Sequence, residues 1–258
     1  MKSVLCYDGS LEGLLTCVFV AYEEKLEVLD IQVQENASKQ LFGNIQNIIT
    51  QEAKASRVAL AIKRKCTAAG QKNLYRAFLS EEQGIEMCMF QYLQYLFESK
   101  KQVDEDFSHP AVLKIAQTAK KVGREKHRME AFVRFQLTKD DIYFANIEPD
   151  FNVLPLIKDH FKKRYSDQKW IIYDLKRNFG LYHDLQEVNR ITLDFSHHFN
   201  HNSSNSALFT SEEIEFKKLW KEYFTHTNIP SRRNMKLHLQ HVPKRYWKYL
   251  SEKSPLHN

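Results

Sequence analysis

Four residues are the leading candidates for moving protons: Asp8, His127, Asp174 and His183. A carboxylate at a strand end, facing an imidazole or a guanidinium, suits general acid–base work on a nucleobase or a phosphodiester. A second set has the type that grips phosphate. Arg128, Arg134, Arg164 and Arg177 fall in one helix–hairpin–helix–strand region, and the planar guanidinium matches phosphate oxygens in bidentate fashion. His127, His160 and His183 add groups that donate to phosphate or shuttle a proton. Near the end of the chain Arg232, Arg233, Lys244, Arg245, Tyr246 and Trp247 interleave cations with rings. That combination neutralises a nucleic-acid backbone and stacks on unpaired bases.

Each set also has a plain structural reading. Arg134 stands in an alternating apolar run, so it and Asp174 can form a pair between neighbouring strands that satisfies two half-buried charges. Tyr246 and Trp247 can equally belong to a terminal helix that docks its rings into a core. Asp8, Gly9 and Ser10 precede a helix and can hold an anion on its first N–H groups, but a tight turn with a cap explains them as well. His197, His198 and His201 sit in a Ser/Asn-rich stretch with no carboxylate or thiol to complete a metal site.

Several chemistries have no motif here. Cys6, Cys17, Cys66 and Cys88 form no C-x-x-C pair and no iron–sulfur cradle. H-E-x-x-H and G-x-S-x-G do not occur. No resident metal or cofactor is expected. Dispersed thiols and an N-terminus that does not read as a signal peptide point to the cytoplasm. The longest apolar run, "LLTCVFVAY", is too short to span a bilayer, so no membrane association is expected.

The charge is unevenly placed. The formal excess of +6 equals the balance of residues 231–258 alone, where seven Lys or Arg face one acid, Glu252. A local basic segment of this kind suits an anionic partner such as nucleic acid. At 43% hydrophobic and 27% charged, the 258 residues have the composition of an ordinary folded chain.

The elements that must position these groups follow from periodicity. "SVLCY", "LEGLLTCVFVAYEEK" and "EVLDIQVQ" read as a β-α-β unit with Ser10 as helix cap. Residues 44–66 and 71–100 read as helices. A further helix starts at Ser108–Pro110, with Val112, Ile115, Ala119 and Val122 on its buried face. "AFVRFQL" and "DIYFANI" read as a hairpin across "TKDD", then a helix capped by Asn152, then "WIIYDL" turning at "KRNFG". The expectation is an α+β fold with a mixed, largely antiparallel sheet and packed helices over residues 1–195. A polar surface loop over 196–206 and a basic helical segment packed on the core over 207–258 complete the chain.

Three blocks in this order carry a family resemblance. They are "YDGSLEGLL"; "REKHRMEAFVRF", continuing through "YFANIEPDFNVLPLIKDHFKKRY" to "WIIYDLKR"; and "LWKEYF", continuing through "SRRNMKLHLQHVPKRYW". Together they resemble a bacterial DNA-metabolism protein family, a domain of unknown function paired with a radical-SAM DNA-modification or repair protein. In some relatives a similar domain is fused to a uracil-DNA glycosylase-like domain. The chain departs from those relatives in having no such domain, and from radical-SAM enzymes in having no clustered cysteines. The resemblance implies an accessory protein that binds nucleic acid, DNA rather than RNA, beside a radical-SAM partner that supplies the chemistry. The alternatives are an enzyme acting itself on a base or phosphodiester, and a protein–protein adaptor whose basic tail docks on its partner.

Overall fold

The first strand, β1 (Lys2–Tyr7), is buried along all but its first residue. Such a run fits the middle of a parallel sheet, covered on both faces. In the computed structural model β1 is central in a three-stranded parallel sheet of order β2-β1-β3, formed with β2 (Glu27–Val33) and β3 (Asn44–Asn47). The structure describes residues 2–34, 44–193 and 241–250, together with Thr210, Leu219 and Leu239. The polar stretch 196–206, Arg232 and Arg233 lie outside the described residues, as does most of the basic segment. The chain divides into two compact units, Met1–Arg124 and Glu125–Asn258.

In the first unit, α1 (Leu11–Glu23) follows β1 through the Asp8–Ser10 turn. Ser10 caps it as expected, its Oγ accepting from the Gly13 N–H at 2.9 Å. Gly9 has a φ of 80°, which only glycine adopts without strain. Then come α2 (Glu52–Lys65), α3 (Ala68–Phe78) and α4 (Ile85–Glu98). Leu5, Tyr7, Leu14, Cys17, Ile31, Leu93 and Leu96 are among the buried side chains of this unit's core. The expected helix over 44–66 is corrected at its start. Asn44–Asn47 pair with Ser3–Cys6 as a strand, because the free edge of β1 offers backbone partners that helical spacing of Ile45, Ile48 and Ile49 does not register. The expected helix over 71–100 is two helices, broken where Glu81 and Gly84 take positive φ.

The division into units falls within α5 (Pro110–Phe132), whose Val112, Ile115, Ala119 and Val122 are buried as their spacing predicts. The second unit holds a five-stranded sheet of order β4-β5-β6-β7-β8: β4 (Gln136–Leu137), β5 (Tyr143–Ile147), β6 (Trp170–Asp174), β7 (Phe179–His183) and β8 (Val188–Ile191). Only β5 and β6 run parallel, joined by α6 (Leu154–Arg164); the other pairs are antiparallel. The α+β reading holds, with the strands divided between two sheets.

Two local expectations in this unit differ. "AFVRFQL" does not form a long strand: α5 continues to Phe132 and β4 keeps only Gln136 and Leu137. α6 is capped at Val153, not Asn152. The turn after β6 is where expected, with Asn178 at a φ of 52°. β8 was not anticipated; the Asp184 carboxylate builds its turn by accepting from the N–H groups of Gln186 (2.9 Å) and Glu187 (2.7 Å). After Pro243, a 3-10 helix spans Lys244–Tyr249.

Candidate functional site

β5 and β6 are parallel neighbours with Ile147 opposite Asp174, so both end at the same edge of the sheet. The residues just beyond them, Glu148 and Asp150 after β5 and Lys176 and Arg177 after β6, are thereby brought together. In open sheets with parallel strands, the carboxyl ends are where side chains converge on ligands. The Lys244–Tyr249 turn and the residues Glu125 and Arg128 of α5 meet the same edge, all within the second unit.

Glu125 is the anchor. Its residue is 1% exposed. One carboxylate oxygen accepts from the Tyr246 hydroxyl and from the Asp150 N–H at 3.0 Å. The other accepts from Arg245 at 3.2 Å and lies 3.7 Å from the Arg128 guanidinium. Arg245 also meets Asp150 at 2.8 Å, donates to the Tyr246 oxygen at 2.6 Å, and lies 4.6 Å from that ring's centroid. Burial works against the Arg245 charge, but Tyr246, Glu125 and Asp150 outweigh it and raise its pKa. Burial, reinforced by the bond to Glu125, likewise pushes the Tyr246 hydroxyl up, so it remains a donor.

A second carboxylate, Glu148, accepts from Lys248 and from the Tyr249 hydroxyl, which together hold its pKa below the ordinary value. The third, Asp174, is fully buried and accepts from Arg177 at 2.9 Å and from the N–H groups of Lys176 (2.9 Å) and Arg177 (3.3 Å). Burial raises its pKa despite these partners. Arg177 continues to the carbonyls of Pro149 (3.2 Å) and Asp150 (3.0 Å), and the Lys176 ammonium reaches the Asp150 carbonyl at 3.0 Å.

Thus the structure gathers Arg128, Arg177 and Arg245 around one loop, but not Arg134 and Arg164 with them. Arg134 sits beyond α5 and donates to the carbonyls of Ala131 (2.7 Å) and Val133 (3.3 Å), closing that helix end. The anticipated Arg134–Asp174 pair is corrected: Asp174 pairs with Arg177, because α5 runs on and leaves Arg134 outside the sheet. Arg164 ends α6 and lies over the Tyr165 ring at 5.7 Å. Lys244 is exposed. Tyr246 is buried against Phe132 and presents no free face for stacking. Trp247 is half-buried and donates to the Val242 carbonyl at 3.0 Å.

Within the second unit, His127, Asp174 and His183 are separately engaged. Asp174 and His183 stand at opposite ends of the β6–β7 pair. His183 is buried, bonded to the Gln168 carbonyl at 2.9 Å and stacked on Trp170. His127 is 88% exposed and 3.8 Å from Glu130, which is also 3.7 Å from His160. Asp8 lies in the first unit, where its carboxylate accepts from Ser10 N–H (2.9 Å), Ser10 Oγ (2.6 Å) and Thr50 Oγ1 (2.8 Å). Its own carboxylate thus fills the turn proposed to hold an anion. Burial works against that charge, but these bonds lower the pKa overall. Among the described residues there is no cluster of three or more His, Cys, Asp or Glu able to hold a metal ion, and no helix long and apolar enough to cross a membrane.

Sequence reasoning looked for cations and missed the carboxylates that arrange them. Glu125 interrupts the "REKHR" run, and Glu148 and Asp150 flank Pro149 directly after a strand. An acid inside a basic run was the available signal.

The family model for DUF4130, a domain of unknown function, matches residues 83–252. The chain belongs to this family. Every residue of the Glu125–Tyr249 cluster lies inside the matched span. No curated protein matches the chain.

Proposed function

We propose that this DUF4130 chain binds DNA through the cationic rim around Glu125, as the accessory of a radical-SAM protein that carries out the chemistry. The observation that carries the reading is Arg245. Its side chain is 42% exposed, yet it is fixed from below by a carboxylate that is 2% exposed and by a buried tyrosine. An exposed guanidinium held in one orientation loses little entropy on meeting a phosphate. Lys248, with a side chain 60% exposed, the exposed Lys244, and Lys176 extend the same rim. The basic balance of residues 231–258 and the resemblance of the ordered sequence blocks to a DNA-metabolism family support the same reading. The partner rests on that resemblance. The cluster offers anion recognition, and the proton-moving residues are separately engaged.

The test is fluorescence anisotropy of the intact chain with labelled duplex DNA, single-stranded DNA and RNA across a salt series. Binding that ranks DNA first and weakens steeply with salt is expected, because phosphate neutralisation releases counterions. Equal, weak binding to all three overturns autonomous recognition. Co-purification with the radical-SAM protein tests the partnership separately.

A further inference from the structure

The ion pairs of the cluster differ in exposure, and Arg245 and Arg128 also meet the buried Glu125, at 3.2 and 3.7 Å. Arg177–Asp174 is buried on both sides, with side chains 8% and 0% exposed. Arg245–Asp150 (42% and 51%) and Lys248–Glu148 (60% and 38%) face water. A buried pair cannot be parted without stranding a charge. An exposed pair contributes little and exchanges readily with other ions.

The residues that carry the two exposed cations are spaced by their backbone. Arg245 and Lys248 are three residues apart on a 3-10 helix. Residues three apart on such a helix eclipse one another, separated by about 6 Å at a rise of roughly 2 Å each. The same rule stacks Tyr246 and Tyr249, whose hydroxyls meet Glu125 and Glu148. The helix therefore has one row of anchored tyrosines and one row of cations. Successive phosphates on one strand of a duplex are about 6.5 Å apart once the winding about the axis is included.

We infer that Glu148 and Asp150 are stand-ins for two successive phosphates of one DNA strand. In the free chain they occupy Lys248 and Arg245. On binding, the phosphodiester backbone displaces them while Glu125, Asp174 and Arg177 keep the frame in place. The contact is to backbone and is blind to the bases, because the Tyr246 ring is buried and Tyr249 is half-buried. Both carboxylates then hold affinity down, so that only a polyanion presenting two phosphates at this interval exchanges with them. This inference rests on the DNA-binding reading above and adds the exchange.

The test uses the intact chain and a fluorescein-labelled duplex at low and moderate salt. The variant Glu148→Gln/Asp150→Asn is compared with wild type and with Asp140→Asn/Asp167→Asn, which changes net charge equally at two exposed acids outside the cluster. Asp150→Asn alone is the second variant: the bond to Glu125 comes from its backbone, so the frame survives. Removing the two competitors is expected to tighten binding about two- to thirty-fold, more than the control does. The gain disappears when Arg245→Gln and Lys248→Gln are added. If wild type binds and removing the acids leaves binding unchanged or no tighter than in the control, the exchange is overturned and DNA binding stands. If only the acid-free variant binds, the exchange holds and autonomous binding by wild type falls. If no form binds, both fall.

Discussion

Replacing Glu125 is the sharpest perturbation of the second unit. Its carboxylate is buried and takes the Tyr246 hydroxyl, the Asp150 N–H at 3.0 Å and Arg245 at 3.2 Å, with Arg128 at 3.7 Å. Glu125→Ala leaves a buried hydroxyl and a backbone donor without their acceptor, while Arg245 keeps Asp150. Two stranded donors at about 1–3 kcal/mol each give an expected loss of about 2–6 kcal/mol. Glu125→Gln keeps an acceptor and the shape but loses the charge, and is expected to cost about 1.5–3 kcal/mol. Tyr246→Phe removes one donor and strands little, so about 1–2 kcal/mol is expected. Because the two groups share a bond, the double variant Glu125→Gln/Tyr246→Phe should lose less than the sum, with a coupling of about 1 kcal/mol or more. The assay is urea unfolding followed by tryptophan fluorescence. All three tryptophans, Trp170, Trp220 and Trp247, belong to the second unit, so the signal reports on the unit that is perturbed. A Glu125→Ala loss below about 1 kcal/mol, or strict additivity in the cycle, refutes the anchoring role.

Three further outcomes are expected. Gly13→Ala should lower the melting temperature although alanine favours helix: its Cβ would meet Asp8 Oδ1 at 2.3 Å and Thr50 Oγ1 and Tyr7 Cδ2 at 2.9 Å, and such overpacking costs about 1–3 kcal/mol. Burial raises all four cysteine pKa values, Cys17 and Cys66 to about 12, and Cys6, Cys17 and Cys66 are buried. A thiol reagent at neutral pH should therefore react promptly with at most Cys88, and with all four only after denaturation; fast labelling of Cys17 would contradict the packing. The depressed pKa of Glu148 contributes stability that is complete above its ordinary value of 4.5 and is lost as pH falls through the folded value. Glu148→Gln should flatten the acid limb of a stability–pH profile below about pH 4.5; an unchanged limb would show that Lys248 and Tyr249 do not hold the charge.

The first-order elements were legible because they depend on neighbours in sequence. The spacing of Val112, Ile115, Ala119 and Val122 marked the buried stripe of α5, and Ser10 marked the start of α1. The turn between β6 and β7 was written in "KRNFG". The errors came where a distant partner decided the outcome. Asn44–Asn47 is a strand because β1 supplies an edge, and "AFVRF" is largely helix and link because α5 continues past Met129. Neither partner is visible in a local window.

The sequence by itself determined the α+β class, most helices, and a set of cations concentrated in two stretches. It also determined which residue types were present for chemistry. Only the tertiary structure decided which of them share a site. Parallel pairing of β5 with β6 sets Pro149 and Asp150 beside Arg177, and the docked 3-10 turn brings Arg245 and Tyr246 to Glu125, some 120 residues earlier in the chain. The physical reason is that a side chain's charge is local, whereas its burial and its counter-ion are set by whichever backbone folds against it. Arg134 and Arg177 look alike in the sequence; one closes a helix end and the other sits 8% exposed on a buried aspartate.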